Sequence, residues 1–136
     1  MMVIDASVAA KWFVVEPGAP AARELVASDN IFIAPELIVA EVLNVTWKRL
    51  IRKDLEWDQV ADVPNALPKL FAELWPTRWL ASRAFEIAAE LRHPVYDCLY
   101  LALAEREGAT LVTADRRLIG RLAGSRWDGL CRALVA

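Results

Sequence analysis

Two side chains that often carry chemistry, cysteine and histidine, are almost missing from this chain of 136 residues. Cys98 and Cys131 are too few for a disulfide scaffold or a cysteine zinc site. Cys98 falls in an apolar helical run, so a buried thiol and a reducing, cytoplasmic setting are expected. His93 stands alone, which excludes chemistry that runs on two imidazoles. Its place before Pro94, at the end of a helical pattern, points to a cap or a structural bond. Charge of one sign is lacking too: 16 basic residues against 18 acidic ones leave a formal charge of -2. That excludes a strongly basic nucleic-acid coat, though a local basic rim around an acidic site remains open, because the field follows distribution. No uninterrupted apolar stretch approaches the roughly 18 residues of a membrane span. No basic leader precedes the first apolar run, which Asp5 interrupts, so a signal peptide is not expected. No internal repeat, low-complexity tract or linker divides the chain, and its length suits one domain with a real core.

What is present is apolar and periodic. Residues of the AVILMFWYC set make up 57%, a balance that suits some surface being covered by a partner. Met2 to Ile4 reads as a strand, Ala6 to Val15 as a helix and residues 16–20 as a turn. A second helix runs to about Ala27, and Ile31 to Ile33 forms a short strand. Pro35 suits the first turn of a helix reaching about Lys53. Another helix is expected between Leu55 and Leu67, interrupted by Pro64 and Pro68, which lack amide donors. Phe71 to Trp75 reads as a strand. Leu80, Ala84, Ile87, Ala88 and Leu91 repeat at helical spacing. Tyr96 to Glu107 gives a nearly all-apolar helix that Gly108 can end in a left-handed conformation. Thr110 to Thr113 is a strand, Asp115 to Ala123 a helix, and Leu130 to Val135 a last edge strand. Strands alternating with helices imply an α/β fold around a parallel sheet covered on both faces.

Four acids stand out: Asp5, Glu41, Asp97 and Asp115. Asp5, Asp97 and Asp115 each fall where an apolar run gives way to a helical pattern. The carboxyl ends of parallel strands open into one crevice, so acids delivered there from distant segments converge. Clustered carboxylates repel unless protons or a cation neutralise them. A set of oxygen ligands suits a hard divalent ion such as Mg²⁺ or Mn²⁺. Metal-assisted phosphodiester hydrolysis is the chemistry that such a site fits. The alternative is plain: Asp is a favoured helix N-cap, and each of the three can simply cap.

Glu41 lies inside a helix. At about 100° per residue it shares a stripe with Asn44, Val45, Lys48 and Arg52, while Val39, Leu43 and Leu50 face away. Either this is a solvated face, or its Glu41–Asn44 end looks into the crevice and Lys48, about 10 Å further along, follows a substrate. Ser7 and Thr113 each lie two residues from a candidate acid. Their hydroxyls can hold a carboxylate or make local backbone bonds.

The stretches Val3-Ile4-Asp5-Ala6-Ser7-Val8, Pro35-Glu36-Leu37 and Glu41-Val42-Leu43-Asn44 resemble the PIN-domain family, specifically the toxin half of VapBC-type toxin–antitoxin pairs. So do Tyr96-Asp97-Cys98-Leu99-Tyr100-Leu101-Ala102-Leu103-Ala104 and Leu111-Val112-Thr113-Ala114-Asp115-Arg116-Arg117-Leu118. Each motif is weak alone, but they span residues 3 to 118 in the family's order. The resemblance implies one PIN domain over residues 1–136, a central parallel sheet of four to five short strands flanked by helices on both faces. It implies Mg²⁺- or Mn²⁺-dependent endoribonuclease activity on single-stranded or looped RNA, with Asp5, Glu41, Asp97 and Asp115 as the acidic set. It further implies Ser7, Asn44, Thr113 and Lys48 as supporting or substrate-facing residues. A small antitoxin is the expected inhibitor, and a homodimer or larger toxin–antitoxin assembly the expected state, with no membrane partner. The prolines between Asn65 and Pro76 depart from the family's pattern and obscure one helix and one strand.

Within that reading, Asp5 and Asp97 are the first metal ligands, Asp115 completes the site or holds a bound water, and Glu41 orients or deprotonates the attacking water. Lys11, Arg49, Arg116 and Arg117 are further candidates for gripping phosphate. The six tryptophans lack the ordered spacing of a base-stacking platform, so core or interface packing is expected. Trp47 and Trp57 fall on helices that the resemblance assigns to the antitoxin groove. Two rivals remain. A phosphatase using Asp5 as nucleophile would want an acid two residues later, where this chain has Ser7. A catalytically silent PIN-like module would bind RNA or antitoxin, yet binding phosphate does not call for clustered negative charge.

Overall fold

Five short apolar segments form one sheet: β1 (Met2–Ile4), β2 (Phe32–Pro35), β3 (Glu73–Trp75), β4 (Thr110–Thr113) and β5 (Cys131–Ala133). The computed structural model describes residues 1–135. Every pairing is parallel, in the order β3-β2-β1-β4-β5. Val3, Ile4, Leu111 and Val112 of the central strands are fully buried, which is why these strands read as apolar runs rather than alternating patterns. From β1 the chain steps outward to β2 and β3. From β4 it steps the other way to β5. The carboxyl ends of β1 and β4 therefore flank the reversal of strand order, where an open α/β sheet leaves a crevice.

The helices are α1 (Ala6–Ala9), α2 (Ala19–Val26), α3 (Leu37–Ile51), α4 (Trp57–Val60), α5 (Val63–Ala66), α6 (Thr77–Leu91), α7 (Val95–Glu107) and α8 (Arg116–Leu122). Seven consecutive residues of α7, Cys98 to Ala104, are buried. That helix lies across β1, β2 and β4 and is backed by α6, whose Leu80, Ala84, Ile87 and Leu91 form the buried stripe. Gly108 ends α7 at φ 61°, a backbone angle that costs glycine little. Right-handed crossovers place α1 and α3 on the opposite face from α6 and α7. No described helix is long and apolar enough to cross a membrane.

Local departures from the sequence reading have local causes. Helical geometry beyond Asp5 tightens after Ala9 into a 3₁₀ turn over Ala10–Trp12. There the Trp12 indole donates to the Ala22 carbonyl at 2.9 Å and packs on Phe32 and Phe71. Pro35 closes β2 instead of opening α3. Pairing with β1 has already ended at Ile33, so the missing amide costs no bond on that side. The expected helix from Leu55 to Leu67 is two single turns, α4 and α5, followed by a 3₁₀ turn at Pro68–Leu70. Pro64 and Pro68 each restart a turn at its N-terminal end, where a donor is not needed.

Leu103 is fully buried on the helix that covers the sheet. Leu103→Ala should lower unfolding free energy by about 2–5 kcal/mol in urea titration, the range for a core leucine truncated to alanine.

Candidate active site

The crevice begins where β1 ends. Register pairs Val3 with Leu111 and Ile4 with Val112, which sets Asp5 beside Thr113. Only 5% of Asp5 is exposed. Its Oδ1 accepts from Ser7 Oγ at 2.5 Å and from the Val8 amide at 3.2 Å, and its Oδ2 accepts from Thr113 Oγ1. Ser7 Oγ in turn accepts the Ala114 amide at 2.9 Å, and Thr113 Oγ1 the Asp115 amide at 3.1 Å. Each hydroxyl thus spends its proton on Asp5 and its lone pair on the loop after β4. Two hydroxyls tie the two strand ends together.

That loop delivers Asp115, whose Oδ1 caps α8 by accepting the amides of Arg117 and Leu118 at 2.9 and 3.4 Å. Asp5 likewise caps α1. Capping and facing the crevice are therefore compatible for both residues. Asp97 is different. It follows no strand and caps nothing; it is the third residue of α7, whose N-cap is Pro94. Its Oδ2 meets His93 Nε2 at 2.5 Å. Glu41 arrives from α3, and its Oε1 accepts from Tyr100 Oη of α7 at 2.5 Å.

Asp5, Glu41, Asp97 and Asp115 line one cleft of about 290 Å³ with Ser7, Asn44 and Tyr100. Among the described residues no lysine or arginine lines it. Thr113 is fully buried beneath Asp5. Lys48 is exposed and outside the lining, so the polar stripe of α3 enters the cleft only at its Glu41–Asn44 end. Lys11 and Arg49 are both held by Glu16 in ion pairs, while Arg116 and Arg117 are exposed at the start of α8. Sequence reasoning gave no role to Tyr100, although it lies one helical turn from Asp97. His93 makes the structural bond expected of it, but to a candidate acid.

Burial sets the electrostatics. Loss of hydration pushes the Asp5 carboxyl up to about 6, the bonds from Ser7, Thr113 and Val8 pull it down, and the charge on Asp97 adds to the rise. Glu41 is raised chiefly by burial, with Tyr100 opposing and Asp97 adding. Tyr100 is held well above its usual range, mainly by burial and then by Glu41, so it remains a donor. Carboxylate oxygen is the whole acidic donor set, which matches a hard cation. Among the described residues no three of these acids stand close enough as placed to share one ion. Tyr100 occupies an oxygen of Glu41, and His93 one of Asp97. Among the described residues the other oxygen of each, and Oδ2 of Asp115, accepts no protein hydrogen bond. These free carboxylate oxygens are the donors that such an ion would take.

Asp5 binds its proton more tightly folded than unfolded, where its value is 3.8. Its stabilising contribution is complete below pH 3.8 and is lost as pH rises through about 6. The loss is about 3 kcal/mol across that window. In chelator, urea unfolding at about pH 4 and pH 8 should show wild type losing up to about 3 kcal/mol relative to Asp5→Asn. Equal pH dependence in the two proteins would refute the assignment to Asp5.

The PIN domain family matches residues 2–124. "Ribonuclease VapC3" of Pyrobaculum aerophilum is 32% identical over 119 residues, covering 86% of this chain and 91% of that protein. "Ribonuclease VapC12" of Mycobacterium tuberculosis is 30% identical over 137 residues, the full length of both. The crystal structure of PAE2754 from Pyrobaculum aerophilum superposes with a TM-score of 0.66 at 22% identity, over 98% of this chain and 88% of that one. With the acidic cleft at its strand reversal and these identities over most of its length, the chain belongs to the PIN-domain family, in its VapC-like group.

Proposed function

We propose that this protein is a toxin of the VapBC type, an endoribonuclease that hydrolyses RNA with Mg²⁺ or Mn²⁺ and is silenced by a small cognate antitoxin. The observation that carries the reading is the cleft itself: four acids from four separate segments, with no lysine or arginine among the described residues that line it. A module built only to bind phosphate would place cations there. The ribonuclease names of its relatives support the same chemistry.

The residues divide the work. Asp5 and Asp97 would hold the ion and Asp115 would complete the site. A bound divalent ion polarises the scissile phosphate and eases deprotonation of the attacking water. Glu41, raised by burial, is suited to orient that water and take its proton, with Tyr100 fixing one of its oxygens. Ser7 and Thr113 hold Asp5 in place, and Asn44 lines the entrance. In-line attack by water leaves a 5′-phosphate and a 3′-hydroxyl and needs no RNA 2′-hydroxyl. The open cleft admits a single strand or loop rather than a rigid duplex. Lys48, exposed about two turns beyond Glu41 on α3, is the proposed contact to a phosphate beyond the scissile one.

Two apolar surfaces supply partners. Trp47 and Ile51, one helical turn apart on α3, and Trp57 on α4 are 54%, 62% and 64% exposed; they suit an amphipathic antitoxin segment. Phe85 and Tyr96 flank a groove lined also by Leu37, Val95 and Leu99, beside Asp97, and this is the proposed homodimer face. The whole chain acts as one PIN domain in the cytoplasm.

Purified protein should cleave RNA with Mg²⁺ or Mn²⁺, stop in EDTA and recover on adding either ion. Asp5→Asn should lower the rate at least a hundredfold while retaining RNA binding, on the scale of losing a group that acts in the transition state. Full activity in EDTA overturns the metal mechanism; binding by both proteins with cleavage by neither favours the silent module. Separately, Trp47→Ala with Trp57→Ala should weaken antitoxin binding by about tenfold or more in calorimetry, as for buried interface aromatics. Unchanged affinity would remove that surface from the interface.

A further inference from the structure

We infer that His93, poised on the α6–α7 turn with Nε2 at 2.5 Å from Asp97 Oδ2, is a positioning residue that presents the other oxygen of Asp97 to the cleft. The inference rests on the reading of Asp97 as a metal ligand given above.

The turn is built to hold the ring still. Arg92 ends α6 in the left-handed region at φ 55°. Pro94 confines the backbone of the residue before it to extended geometry. The His93 amide donates to the Ala88 carbonyl at 3.2 Å. From α8, Arg121 Nη2 donates to the carbonyls of Leu91 and Arg92 at 2.7 and 3.1 Å. With backbone fixed on both sides, the imidazole is 16% exposed and directed at one carboxylate oxygen.

Asp97 needs such a brace. It stands in the first turn of α7, where a carboxylate can fold back onto free helix amides, yet α7 has no side-chain cap. Its charge acts on both Asp5 and Glu41, and that repulsion drives an unbraced side chain toward solvent. A proton on Nε2 makes the contact a hydrogen bond. Oδ2 is then occupied, and Oδ1, with no protein partner among the described residues, is left for a ligand. Carboxylates that ligate metals are commonly oriented by a partner of this kind, and losing it typically costs 10–100-fold in affinity.

The test measures Mn²⁺ affinity of the purified full chain by calorimetry, beside the melting temperature of the metal-free protein. His93→Leu should weaken Mn²⁺ binding by about tenfold or more with the metal-free melting temperature unchanged. His93→Gln, whose amide nitrogen reaches the Nε2 position, should restore most of it. If His93→Leu does not fold, His93→Asn, which keeps polarity but falls short of Oδ2, supplies the same comparison. Wild-type affinity in His93→Leu, with binding lost in Asp97→Asn, overturns the role of His93 alone. A weakening that tracks lost thermal stability and is not rescued by Gln makes His93 merely structural and also overturns it. Wild-type affinity in Asp97→Asn overturns the metal-ligand reading and the inference with it.

Discussion

A carboxylate buried at the junction of β1 and β4 is the constraint around which the rest is arranged. Asp5 is nearly out of water, and its three hydrogen bonds do not fully compensate the lost hydration, so its proton affinity stays high. Removing a hydroxyl partner would leave a buried charge less satisfied still. Ser7 and Thr113 therefore do more than decorate the site. Their bonds to Asp5 and to the loop after β4 fix the spacing of two strand ends and, through the Asp115 amide, aim the next acid. The fold tolerates the cost because the central strands and α7 bury a continuous apolar core beneath it.

Helix capping and chemistry share side chains in this arrangement. A cap uses one carboxylate oxygen and can leave the second available. Asp115 follows this economy, giving Oδ1 to α8. Glu41 and Asp97 cap neither of their helices, and other side chains, Tyr100 and His93, engage one oxygen of each. Three of the four acids thus present the same half-bound state. The charge of Asp97 acts on both Asp5 and Glu41, a repulsion that a bound cation would relieve.

Much of this was legible in the chain. Strong apolar runs located β1 and β4, and the spacing of Leu80, Ala84, Ile87 and Leu91 located α6. Asp5 and Asp115 were readable because strand-end acids reach the crevice through local chain geometry. Helical phase grouped Glu41 with Asn44 but left a solvated face equally open, and the family resemblance pointed to the crevice. Asp97 was reached for the wrong local reason, since it sits in a helix that no strand precedes. What stayed hidden was long-range pairing. Nothing in sequence periodicity says that Tyr100 meets Glu41 across the cleft, or that Glu16 engages Lys11 and Arg49, two cations that had seemed available for phosphate. Pro35 misled for a related reason: its place at the end of β2 depends on where the neighbouring strand stops pairing.

Charge placement finally bears on how such a cleft meets a polyanion. An acidic pocket repels phosphate, and a chain of formal charge -2 has no overall attraction to offer. In the proposed reading, attraction comes from a rim to which exposed Lys48, Arg116 and Arg117 contribute, while Lys11 and Arg49 are paired with Glu16. In the proposed reading, RNA can lie along that rim at any time, but its backbone can descend to the acids only when they are neutralised. Occupancy of the cleft by a cation and entry of the scissile phosphate are then coupled by electrostatics alone. On that reading a fixed lysine or arginine in the lining, where the described residues place none, would pair with Asp97 or Glu41 and satisfy the acids without supplying any chemistry.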